Sequence, residues 1–319
     1  MSTTDTPTNS TLKGRRRPIE RSIVVTLFFA GAVSIAITLG ILWELGKESL
    51  LFFQDEEVSL WNFLTTTNWQ PQAGSFGIWP LVLGTVYITV IALLVAVPIG
   101  LASAIYLSEY AGPRARAILK PTLEVLVGIP TVVFGFFAIT FMTPLLRSIF
   151  GTSTVGFFNV LSAGIVVGFL IVPLISSLAE DAMAAVPDSL RQAAYGLGAS
   201  KLEVSLRIVF PAALSGIAAG VVIAMSRAVG ETMVVTLAAG ASPRNFNLGS
   251  DSIFGYILNP FDGAQTMTGY IAITASGDLS YNTIDYNSIF AIGLTLFFMT
   301  LALNSLSRRI VKRFRQEYE

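Results

Sequence analysis

Arg227 and Glu231 stand four residues apart in the stretch Ser226-Arg227-Ala228-Val229-Gly230-Glu231-Thr232. The flanking runs, AALSGIAAGVVIAM and MVVTLAAG, carry no charge. A guanidinium binds an oxyanion through two parallel hydrogen bonds. A carboxylate four residues further along a helix shares its face and can pair with it. A charge near the centre of a bilayer costs about 2.5–3.5 kcal/mol on insertion scales. Two leucines would insert more favourably, so pairing alone does not explain why these residues are here. Three readings are open. Arg227 and Glu231 neutralise each other and cement a helix contact. They line a water-filled path, with Ser226 and Thr232 beside them, and Arg227 meets an anion. Or they pair across a subunit interface and change partners as a gate opens. The last two are compatible, because intramembrane ionisable groups usually face a bundle interior or a cavity.

Other chemistries are excluded by composition. The chain has no cysteine and no histidine. That removes disulfides, thiolate nucleophiles, histidine metal sites and histidine bases.

The elements that must position Arg227 are membrane helices. Of 319 residues, 53% are hydrophobic and 13% charged, and mean hydropathy is +0.69. A soluble domain carries about 25% charged residues. The apolar runs reach about 20 residues without period-two alternation, which favours helices over a barrel. Six spans are predicted, at about 22–45, 79–107, 121–145, 160–179, 211–240 and 288–306. The first also admits a signal-peptide reading, since basic residues precede it and Ala30-Gly31-Ala32 has an A-x-A form. Its apolar run continues well past that tripeptide, as an anchor would. Gly164 and Gly168 in the fourth span are small residues at a spacing that allows close helix approach. Gly216, Gly220, Ala224 and Ala228 form a longer stripe of the same kind in the fifth. Arg227 lies roughly 24 Å along that helix from Pro211, in the outer half of the membrane.

Charge placement supports this topology. Six spans put both termini on one side. Lys13, Arg15, Arg16, Arg17, Arg21, Arg114, Arg116, Lys120, Arg191, Lys201, Arg207, Arg308, Arg309, Lys312, Arg313 and Arg315 then share that side. Only Lys47, Arg147 and Arg244 fall opposite, and Arg227 is the one basic residue inside a span. The positive-inside rule makes the crowded side, and both termini, cytoplasmic. The permease domain so defined runs over 22–307, between a polar, basic tail at 1–21 and a basic C-terminus at 308–319. The Ser/Thr/Pro content of the N-terminal tail predicts mobility. Two outer loops, 46–78 and 241–287, are long enough to be partner-facing or a plain solvated cap. Glu124, near the cytoplasmic end of the third span, reads either as a solvated interfacial residue or as part of an inner gate.

The longest inner segment, about 181–210, has the look of a folded knob. Asp188 or Ser189 can cap one short helix, Gly196 and Gly198 break it, and Ser200 with Glu203 forms a capping box for a second over 200–209. Such a knob could be a handle for a motor, or a plain amphipathic connector.

This segment resembles the cytoplasmic signature of ABC-transporter permeases: an acid, Ala-Ala, three residues, Gly, nine residues, then Ile-x-Leu-Pro. Here Gln192-Ala193-Ala194 precede Gly198, and Ile208-Val209-Phe210-Pro211 follow at the family spacing. Gln192 replaces the acid and Phe210 the leucine. The stretches GTVYITVIALLVAVPIGLASAIYLSEYA, LEVLVGIPTVVFG, SRAVGETMVV and TMTGYIA resemble the permease subunits of phosphate-specific ABC importers. The last two are more similar to the C-type subunit than to its A-type partner. The resemblance implies an all-α, six-helix, type I importer permease whose coupling helix contains Gln192, Ala193, Ala194, Tyr195, Gly198, Ala199 and Ser200. It implies a second homologous permease subunit, a dimer of ATPase subunits, an extracytoplasmic phosphate-binding protein and a bacterial inner membrane; no nucleic acid is implied. The chain has no G-x-x-x-x-G-K-[ST] loop, so ATP and Mg are expected on a partner and no cofactor on this chain. Permeases for sulfate, molybdate or phosphonate, and a stand-alone carrier or channel with Glu231 as proton relay, are the alternatives.

Overall fold

The computed structural model describes residues 18–246, 259–277, 280 and 283–314. Most of the expected tail, residues 247–258 of the second outer loop and residues 315–319, with Arg315, lie outside these. The chain divides into two units, Met1–Lys47 and Glu48–Glu319. The first contributes most of one helix, α1 (Pro18–Gln54), apolar on every side rather than striped.

The second unit carries the remaining machinery. Helix α2 (Leu60–Thr65) and a two-stranded antiparallel hairpin, β1 (Trp69–Gln70) and β2 (Ser75–Phe76), precede α3 (Trp79–Ile105). Next come α4 (Pro113–Val127), α5 (Thr131–Phe137), α6 (Thr143–Phe150) and α7 (Val160–Ala184). Then follow α8 (Asp188–Gly196), α9 (Lys201–Glu203), α10 (Phe210–Val229), α11 (Met233–Ala238), α12 (Met267–Ser276) and α13 (Ile284–Phe314). Among the described residues, six helical stretches are long and apolar enough to cross a membrane: Glu20–Gln54, Trp79–Tyr110, Thr131–Phe150, Val160–Ala184, Lys201–Val229 and Ile284–Arg309.

Helix α7 is the hub of the second unit. It is the most buried of the six, and small residues let its neighbours approach. A methyl group at Gly164 would sit 2.6 Å from Ile91 Cβ, and one at Gly168 2.9 Å from Val95 Cβ, both on α3. On another face, a methyl at Gly216 would sit 2.6 Å from Ala182 Cβ and one at Gly220 2.9 Å from Leu178 Cβ. The stripe on α10 is therefore the seam with α7.

Three sequence expectations change. The third span does not run over 121–145. Gly128 closes α4 at Val127 and Pro130, in an extended conformation, takes the N-cap of α5, so the chain breaks there and the span begins at Thr131. The expected second short helix at 200–209 is not separate. Its capping box forms as expected, and the helix then runs without interruption from Lys201 to Val229. The fifth span does not reach 240 in one piece. It stops at Val229, Gly230 caps it, and α11 resumes at Met233.

Candidate functional site

The break at Gly230–Thr232 sets the geometry of the polar pair. Helix α10 closes with Gly230 N–H donating to Ser226 O at 3.2 Å and Glu231 N–H to Ala228 O at 3.2 Å. Beyond that point the chain turns, so Glu231 no longer shares a helical face with Arg227. Its side chain is 7% exposed, and one carboxylate oxygen accepts the Val234 N–H at 3.2 Å. The carboxylate thus satisfies a free donor in the first turn of α11. Arg227 is half-buried and makes no ion pair or hydrogen bond with a described residue. The pairing expected from the four-residue spacing is absent, because the spacing presumes a helix that Gly230 has already ended.

Neighbouring elements hold the break in place. Thr268 Oγ1 donates to Glu231 O at 2.7 Å, and it lies 3.2 Å from Thr266 Oγ1. Thr266 caps α12 by accepting the Gly269 N–H at 3.0 Å. Met267 N–H donates to Thr85 Oγ1 at 3.0 Å, which anchors the same turn to α3. Ser226 Oγ sits 2.7 Å from Asn304 Oδ1 and so links α10 to α13. Thr232 Oγ1 makes only a local bond to Gly230 O, at 3.3 Å. Arg227 is therefore a half-buried guanidinium without an ion pair or hydrogen bond to a described residue, at the end of the helix that the break closes. That arrangement can receive an anion.

The knob lies at the opposite end of α10. Helix α8 begins after Pro187, which takes the N-cap position in place of Asp188 or Ser189. Gly198 has φ +85°, a left-handed conformation that a side chain would strain, and it turns the chain toward Ser200. Gln192, Ala193, Tyr195, Gly198 and Ser200 are exposed, Ala199 is half-buried, and Ala194 packs inward. Leu197, at the tip, is 90% exposed.

Arg191 is the residue the sequence reading missed. Its guanidinium donates to Val186 O at 2.6 Å, Met183 O at 2.8 Å, Asp188 Oδ1 at 3.2 Å and Glu109 Oε1 at 3.0 Å. Glu109 lies in the last turn before α4, and its side chain is 5% exposed. The Lys201 ammonium sits 5.0 Å from the centroid of the neighbouring Tyr110 ring. The knob is thereby tied to the end of α3. The visible signal was a basic residue three positions after Asp188, inside the first knob helix.

A second ionic cluster joins α4 to α7. Glu180 is fully buried and accepts from Arg116 and, at 2.5 Å, from Lys120; Lys120 also donates to Asp181 at 2.5 Å. These bonds raise the Lys120 pKa, that from Asp181 foremost and that from Glu180 next. Glu124 is exposed on the rim of an open cavity of about 610 Å³ beside Arg116 and Lys120, and it makes no ion pair with a described residue.

Among the described residues, then, are six apolar helices, a polar break at the end of one and a compact knob at its base. The chain belongs to the family of binding-protein-dependent transport system inner membrane components, which matches residues 96–317. It is 34% identical to the "Probable ABC transporter permease protein YqgH" of Bacillus subtilis (strain 168), over 88% of this chain and 86% of that protein. It is 31% identical to the "Phosphate transport system permease protein PstC" of Mesorhizobium japonicum, over 79% and 78%. The fold is similar to a chain of the bacterial ABC transporter that imports alginate, with TM-score 0.59 and 15% identity over 92% of this chain and 99% of that one. The type I importer permease fold expected from the sequence is thus the observed one, in a multi-pass inner-membrane component.

Proposed function

We propose that this chain forms half of the translocation path for inorganic phosphate in an ATP-driven importer, as its C-type permease subunit. The observation that carries this is Arg227, half-buried in the last turn of a span and without an ion pair or hydrogen bond to a described residue. A half-buried guanidinium in an apolar span is costly unless something anionic visits it. Relatives named for phosphate transport support the choice of anion. The second permease subunit, the ATPase dimer and the phosphate-binding protein are the partners this reading requires. ATP and Mg sit on the ATPase, and both termini of this chain face the cytoplasm.

The mechanism is alternating access. ATP binding draws the ATPase subunits together and moves the knob at Asp188–Ser200. The knob is continuous with α10 through Lys201–Val229, so its movement reaches Arg227 directly. A phosphate delivered from outside meets the guanidinium in two-point contact. Glu231, buried four residues along the chain, keeps the site weak enough to release its anion, as a transport path requires. Glu124 acts as a solvated residue near the inner opening.

The test is ATP-dependent uptake of labelled phosphate by vesicles holding the complete transporter. Arg227→Gln abolishes uptake while the complex still assembles and hydrolyses ATP. Normal uptake by that variant would remove Arg227 from the path. Uptake of sulfate, molybdate or phosphonate in preference to phosphate would change the cargo and leave the machine intact.

A further inference from the structure

We propose that a second polar cavity, distinct from the Arg227 break, is a socket for a basic side chain presented by the external binding protein. The occupant rests on the importer reading above; the cation preference of the cavity does not. The cavity holds about 580 Å³ between the β1–β2 hairpin, α12 and the start of α13. These segments flank the start of α3, the end of α11 and the start of α13, at the end of the bundle opposite the knob.

Its walls have the chemistry of cation recognition. Gln70, Gln72, Gln265 and Thr274 supply neutral oxygens, and Asp285 supplies the one charge among the described lining residues. Asp285 Oδ1 is buried without a hydrogen-bond partner. No ion pair joins its carboxylate to a described residue. Buried polar atoms are nearly always bonded, and a buried charge is costly unless paired. The nearby Tyr270 hydroxyl does not serve it, being 3.0 Å from Ser288 Oγ. Burial and the Asp285 charge both push the Tyr270 phenol up. Arg244, next to lining residue Pro243, points its guanidinium at Asn259 O at 2.8 Å and Gly263 O at 3.0 Å. Asp285 is half-buried on the cavity wall, and no described cation reaches its carboxylate, so a positive group entering the cavity would find it unpaired.

A side chain suits the space better than a metal ion. Hard divalent cations take six or more oxygen ligands, usually with several carboxylates. Here there is one carboxylate in a cavity many times the volume of an ion. Trp69 and Tyr270 meet edge to face at 5.0 Å in its wall, and aromatic rings attract guanidinium and ammonium groups. The family's dependence on a binding protein supplies a protein partner for this end of the bundle. Its basic side chain would also cancel the Asp285 field, which otherwise repels an arriving anion.

The chain has no cysteine, so one introduced thiol reports on the cavity alone. Thr274→Cys, and separately Gln72→Cys, would be placed in the full transporter in vesicles. Each is reacted with cationic 2-aminoethyl and anionic 2-sulfonatoethyl methanethiosulfonate. The cation-to-anion rate ratio should exceed that of a free thiol about fivefold and fall back when Asp285→Asn is added. Saturating binding protein should then slow both reagents. In uptake assays Asp285→Asn should raise the half-saturating binding-protein concentration about fivefold with the maximal rate unchanged. No cation preference at either thiol overturns the socket. Preference without protection overturns the binding protein as its occupant. Preference and protection in a transporter that carries another cargo leave the socket standing and sink only the phosphate assignment.

Discussion

Thr268 holds Glu231 by the main chain rather than by the carboxylate: its hydroxyl donates to Glu231 O at 2.7 Å. That carbonyl lies in the break, where no helical donor can reach it. Thr268 therefore fixes the break to α12, and Thr85 fixes α12 to α3. Replacing Thr268 with valine keeps the shape and leaves a buried carbonyl unbonded, at a cost of about 1–3 kcal/mol. The expected result is an assembled transporter with a raised KM for phosphate, because Arg227 loses its fixed position. Thr268→Ser should restore it. Equal uptake by the valine and wild-type proteins would show that the bond positions nothing.

Arg227 and Glu231 should respond differently to neutralisation. They are not paired, so removing one charge does not strand the other. If Arg227 receives the anion as proposed, Arg227→Gln abolishes uptake. Glu231→Gln keeps an oxygen for the Val234 N–H, so α11 stays capped and uptake persists with slower release of phosphate. Glu231→Ala loses the cap as well, worth about 1 kcal/mol. Uptake and single-turnover release, measured side by side for the three variants, separate these roles. Equal and complete loss in Arg227→Gln and Glu231→Gln would restore the paired reading.

The six spans were legible because a membrane demands long apolar helices and the basic residues fall mainly between alternate pairs. The α7–α10 seam was legible too, since small residues at four-residue spacing have few other uses. Breaks inside spans were less visible. Gly128-Ile129-Pro130 and Gly230-Glu231-Thr232 sit within hydropathy that suggests continuous helix, so the third span was placed too early and Arg227 was paired with Glu231. Arg191 and Glu180 were missed for another reason. Glu109 is 82 residues from Arg191, and Arg116 is 64 from Glu180. Local pattern carries no information about such partners.

Glu180 gives the α4–α7 junction its sensitivity. It is fully enclosed, while Arg116 and Lys120 reach it from the surface. Removing both cations leaves a buried carboxylate uncompensated, which costs up to about 3–5 kcal/mol. Arg116→Ala with Lys120→Ala should therefore lower the melting temperature of the detergent-solubilised complex markedly. Adding Glu180→Gln to that pair should recover most of the loss. A triple variant no more stable than the double would show that the junction is held by packing, with the ion pairs incidental.

Arg191 should separate ATP hydrolysis from transport. Its guanidinium gathers two carbonyls at the end of α7, Asp188 of the knob and Glu109 at the end of α3. If the knob transmits the motor's stroke, this residue converts the motion of α8 into motion of α3 and α7. A lysine carries the charge but cannot span four acceptors with one ammonium. Arg191→Lys should thus retain ATPase activity within about twofold, while uptake per ATP falls severalfold. Glu109→Gln should show a milder form of the same defect, since the two carbonyl bonds remain. The informative quantity is the ratio of phosphate moved to ATP hydrolysed in vesicles. A proportional fall in both rates would mean that Arg191 only keeps the knob folded, and an unchanged ratio and rate would mean that the stroke reaches Arg227 through α10 alone.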